Sequence, residues 1–138
     1  MTWLKNLVLG AAAFLAAHAV EVFRWRQWFD SSGAHQPWFL NAGSAAAFTA
    51  ASVAIAGAAG AALWARTPQK ARQQSLALAA GAALAMAITL WSIGPGTIFP
   101  LVIVAGAGFV TLSAGLGSWL GFLAAAAFRS RLDRPEPP

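Results

Sequence analysis

The sequence predicts an all-α membrane protein: four transmembrane helices in an up-down bundle, with both termini cytoplasmic. Three observations predict it. Hydrophobic residues make up 59% of the 138-residue chain and charged residues only 9%, whereas water-facing folds carry roughly 25% charged residues. The nine basic and four acidic residues fall almost wholly within 21–30, 66–72 and 129–136, leaving long charge-free runs between them. Trp3, Trp25, Trp28, Trp38, Trp64 and Trp91 stand near the ends of those runs, where indole rings favour the headgroup zone. Trp119 alone is expected well inside a span.

A helix needs roughly 20 mostly apolar residues to cross about 30 Å of hydrocarbon, and four segments meet that length. The first, about 4–23, has Lys5 at its start and Arg24 just after it, and is the least uniform, because it holds His18 and Glu21. The second, about 38–64, and the third, about 74–93, are free of charge. The fourth, about 98–128, is longer than a bilayer requires, so it must tilt, curve or project. Uncharged runs of this kind lack the alternation of a barrel strand, which leaves helices as the spanning structure. Together the spans form a single domain over 1–128, followed by a short basic and proline-rich tail over 129–138.

The punctuation between spans agrees. Asp30-Ser31-Ser32-Gly33 reads as a turn, Thr67-Pro68 as an N-cap followed by proline at the first helical position, and Gly94-Pro95-Gly96 as a break between spans three and four. Lys5, the apolar stretch after it and Ala17-His18-Ala19 also have the form of a secretory leader with a cleavage site. Cleavage would leave three spans; four are expected.

Orientation follows from the basic residues, which collect on the cytoplasmic side of short connections. Arg66, Lys70 and Arg72 lie in a connection with no acid, and Arg129, Arg131 and Arg134 lie in the tail. Four spans put both segments on one side, which points to the cell inner (plasma) membrane with that side facing the cytoplasm. The formal charge of +5 is scattered over span ends rather than gathered on one face, so nucleic acid is excluded as a partner.

Without a hydrophobic drive between helices in lipid, small residues must let them approach. Ser52, Ala56 and Gly60 form one small-residue stripe in span two. Ser113, Gly117 and Gly121 form another in span four. Either stripe serves packing inside the bundle or an interface between subunits. The expected partners are the bilayer and either further copies of the chain or other membrane subunits.

Few polar residues can carry function. His18, Glu21 and Arg24 recur at three-residue spacing along one helical face, and an ionisable group within a span marks a functional site by default. The trio supports two readings: an anchor that fixes helix depth at the outer interface, or an ion or proton site in a small oligomeric transporter or channel. Trp25, Trp28 and Phe29 share one side of an amphipathic stretch at the outer headgroup level. Gly94, Pro95 and Gly96 face outward beside it, and the two form an expected outer-loop interface.

No nucleophile triad, zinc motif, phosphate loop or dinucleotide fingerprint is present, and the chain has no cysteine. Neither catalysis nor a cofactor nor a metal is expected. The favoured expectation is a structural or accessory subunit.

Overall fold

The computed structural model describes residues 2–32, 38–93 and 99–132, with side chains over 2–24, 44–92 and 100–131. It is all-helical: α1 (Thr2–Ser32), α2 (Trp38–Trp64), α3 (Pro68–Ile93) and α4 (Phe99–Leu132). Each of the four is long and apolar enough to cross a membrane. This is the fold of a small multi-pass membrane protein.

Helix limits follow local chemistry. The Thr67 hydroxyl accepts from the Lys70 N–H at 3.3 Å and the Thr67 carbonyl from the Ala71 N–H at 3.1 Å, so Thr67 is the cap and Pro68 opens α3, six residues before the expected start of that span. The turn expected from Asp30 does not begin there. Helix α1 continues through Ser32 because no proline or glycine interrupts it before Gly33. It also continues unbroken through Ala17-His18-Ala19. Gly94, Pro95 and Gly96 lie outside the described residues, between the end of α3 and the start of α4.

The helices alternate in direction. Ser52 reaches the Ala13 carbonyl while Ser44 reaches Glu21, so α1 and α2 are antiparallel. Gly117 and Gly121 rest on Ala54 and Ala58, so α2 and α4 are parallel. Around the bundle the order is α1, α2, α4, α3. Consecutive helices α2 and α3 lie across the diagonal and touch lightly, and α1 and α4 do not pack together among the described residues.

The tight contacts are therefore the two parallel pairs, and both use bare backbone. A Cβ on Gly10 would overlap the Leu78 carbonyl, and one on Gly81 would overlap the Leu7 carbonyl. Gly117 meets the Ala54 carbonyl in the same way, while a Cβ on Gly57 would come within 2.9 Å of the Ala114 carbonyl oxygen. Each of the two pairs is thus locally symmetric about its own crossing. The sequence echoes it: Leu7-Val8-Leu9-Gly10-Ala11-Ala12 matches Leu78-Ala79-Ala80-Gly81-Ala82-Ala83, and Ala54 and Gly57 match Ala114 and Gly117.

The interior is built from small side chains. Its main cluster joins Phe14, Val53, Leu78, Met86 and Val110 to a set of alanines; a second joins Ala61, Ala65 and Ala71 under Phe122. Most large aliphatics point outward: Ile55, Leu84, Ile88, Leu101, Val104, Leu112 and Leu116 are all exposed. That distribution suits acyl chains as solvent, because lipid contact costs leucine nothing while close helix approach demands small residues.

Trp119 lies well inside the 100–131 span, as expected: its neighbours Gly117 and Gly121 rest on Ala54 and Ala58 of α2, and it lines a cavity with Pro68, Gln69 and Arg72 of α3. Helix α4 is about 51 Å long for 34 residues at 1.5 Å each and ends with Arg129 and Arg131.

Candidate functional site

The only buried acid among the described residues is Glu21, in α1. At 1.5 Å per residue it stands about 27 Å along α1 from Trp3, which spans most of a hydrocarbon core of about 30 Å. Its side chain is 9% exposed while that of Arg24 is 54% exposed. The acid thus faces the bundle and the guanidinium reaches outward.

Both carboxylate oxygens are engaged. Arg24 Nη1 donates to Oε1 at 3.3 Å, and Ser44 Oγ, from α2, donates to Oε2 at 3.3 Å. The guanidinium also lies over the Phe48 ring of α2, 5.1 Å from its centroid. Burying a carboxylate without partners costs several kcal/mol, so an ion pair, a hydroxyl and a cation over a ring together satisfy this corner. All but the ion pair cross from α1 to α2, and the arrangement is a clasp between the helices.

Of the residues expected to act together, Glu21 and Arg24 meet and His18 does not join them. His18 stacks on Phe14, one turn earlier on the same helix, with ring centroids 6.1 Å apart and planes 6° from parallel. No ion pair links His18 to Glu21 among the described residues. The spacing puts His18 on the right side of α1, but the flat aromatic partner holds the imidazole elsewhere. Among the described residues no three His, Cys, Asp or Glu side chains gather as metal ligands would. The side chains of Trp25, Trp28 and Phe29 lie outside the described residues, as do Gly94, Pro95 and Gly96.

The small-residue stripes are occupied within the chain. Gly117 and Gly121 are covered by α2 backbone, and Ser113 is buried with its hydroxyl donating to the Phe109 carbonyl at 2.9 Å. Ser52 Oγ donates to the Ala13 carbonyl at 2.7 Å, Ala56 belongs to the main cluster, and a Cβ on Gly60 would meet Asn6 Oδ1 at 2.9 Å. Of the two readings of these stripes, this geometry is packing inside the bundle.

Sequence reasoning missed Asn6 and Gln74, both buried polar residues at the basic end. Asn6 Nδ2 donates to the Thr2 carbonyl at 2.9 Å, whereas Gln74 Oε1 has no partner among the described residues. Charge counting passes over both because amides carry none. The signal was an uncharged amide beside a span, where an unpaired polar group is expensive.

No family model, curated protein or solved structure matches this chain.

Proposed function

We propose that the protein is a non-catalytic structural or accessory subunit of the cell inner (plasma) membrane, with both termini cytoplasmic, that packs with copies of itself or with other membrane subunits. The observation that carries this reading is the clasp. Glu21, the acid that a transport pathway would need, is spent on Arg24 and Ser44, and His18 is spent on Phe14. His18 and Glu21 of the first span therefore serve cohesion.

Orientation is supported by where the basic residues gather. Lys5 opens α1, Lys70 and Arg72 open α3, and Arg129 and Arg131 close α4, all at one end of the bundle. Basic residues at span ends mark the cytoplasmic face. Since the two stripes close the bundle, a neighbouring subunit would meet the outward side of α4, where a Cβ on Gly108 or Gly115 would touch nothing within 4 Å.

The test replaces Glu21 with Gln, purifies the chain in mild detergent with whatever co-migrates, and measures flux in liposomes. Unchanged flux with weakened assembly or stability is the expected result. Flux that disappears while assembly stays intact would replace this reading with an oligomeric transporter using His18 and Glu21.

A further inference from the structure

A cavity of about 560 Å³ opens at the basic end of the bundle, where the start of α1, the end of α2 and the first turns of α3 converge. Its volume is within the range of small-molecule sites, roughly 300–1,000 Å³. Thr2, Trp3, Trp64, Lys70, Gln73 and Gln74 line it. Lys70 and Gln74 stand four residues apart, on one face of α3.

Three features of this cavity point to one ligand chemistry. Lys70 is exposed and carries a positive charge into the lining. Gln74 is 7% exposed and its Oε1 is buried with no hydrogen-bond partner among the described residues. A buried acceptor of this kind needs a donor. Finally, Trp3 and Trp64 flank the opening with indole rings suited to the headgroup zone. An anionic oxygen and a hydroxyl on one molecule, at membrane depth, describe a phosphodiester bearing an alcohol.

We propose that this cavity binds the headgroup of an anionic glycerophospholipid whose phosphodiester is esterified to a hydroxylated alcohol, as in phosphatidylglycerol. Lys70 takes the phosphate, and Gln74 Oε1 accepts from the headgroup hydroxyl. An ammonium headgroup also donates, but Arg66, Lys70 and Arg72 crowd positive charge around this turn and repel it. The lipid headgroup fills the cleft between α1, α2 and α3.

The cavity on the other side of α3, about 380 Å³ and lined by Arg72 and Trp119, serves as an internal comparison. It has a cation and an indole, but among the described residues no buried polar atom without a partner lines it.

The experiment loads the full-length protein in mild detergent with phosphatidylglycerol, phosphatidylcholine or phosphatidylmethanol and counts bound lipid by native mass spectrometry. Phosphatidylglycerol should be retained about tenfold over phosphatidylcholine. Lys70→Gln should lower that retention about tenfold, the weight of one charge-assisted hydrogen bond, whereas Arg72→Gln should change it less than about twofold. Because Lys70 is exposed, its replacement leaves the melting temperature unchanged. Gln74→Leu should weaken phosphatidylglycerol while sparing phosphatidylmethanol, which has the phosphodiester and lacks the hydroxyl. Equal loading of phosphatidylglycerol and phosphatidylcholine, or equal losses for Lys70→Gln and Arg72→Gln, would overturn the proposal. So would displacement of the lipid by an equal concentration of inorganic phosphate, which would assign the site to free phosphate. None of these outcomes depends on whether the chain is an accessory subunit.

Discussion

Gly10 and Gly81 form a reciprocal crossing: Gly10 lies against the Leu78 carbonyl of α3, and Gly81 lies against the Leu7 carbonyl of α1. Neither position has room for a Cβ, so the two helices approach backbone to backbone. Dispersion between closely packed atoms, rather than hydrophobic burial, holds such a pair in lipid.

Gly10→Leu and Gly81→Leu are therefore expected to push α1 and α3 apart, at a cost of about 1–3 kcal/mol for overpacking. Gly115→Ala, where nothing lies within 4 Å, should be neutral or stabilise by roughly 0.5–1 kcal/mol through helix propensity. Thermal unfolding in detergent checks this, and equal midpoints for Gly10→Leu and Gly115→Ala would count against the crossing.

The clasp predicts coupling between α1 and α2. A double-mutant cycle of Glu21→Gln with Ser44→Ala should give an interaction energy of about 0.6 kcal/mol, with a ceiling near 1.7 for hydrogen bonds between helices in membranes. Unfolding free energies measured for the four forms decide it. Strict additivity would mean that the two side chains do not bond.

Two buried serines should behave differently. The Ser52 hydroxyl bonds to a neighbouring helix at the Ala13 carbonyl, whereas the Ser113 hydroxyl bonds back to Phe109 on its own helix. Ser52→Ala is expected to loosen α1 from α2, and cross-linking between cysteines placed at Ala16 and Ala51 should fall. Ser113→Ala should leave that yield unchanged.

Topology is testable because the chain has no cysteine of its own. His35→Cys is expected to react with a membrane-impermeant thiol reagent on intact cells. Gln69→Cys and Ser130→Cys should react only after permeabilisation. The reverse pattern would invert the orientation.

Run length and charge made the four spans readable, and Thr67-Pro68 marked the start of α3 because cap chemistry is local. Which helices pair was not readable. In a soluble bundle a polar stripe shows which face looks away from the core, but here the outward face is leucine and the inward face alanine, and both count as apolar. Leu112 and Leu116 face outward as their size suggests, yet Gly108 and Gly117 look alike in sequence while one meets open space and the other α2 backbone. The clasp was half readable: three-residue spacing joined Glu21 to Arg24, but Ser44 lies 23 residues from Glu21, and spacing within one helix says nothing about a contact with the next.

An interior of alanine and glycine reverses the usual sense of a mutational scan. Truncating side chains one at a time would probe the centre of this protein at few places, Phe14, Val53, Leu78, Met86 and Val110, since Ala61, Ala65, Ala77 and Ala114 have almost no volume to lose. Enlarging them would map the whole core, and the tolerated substitutions would trace the surface that meets lipid.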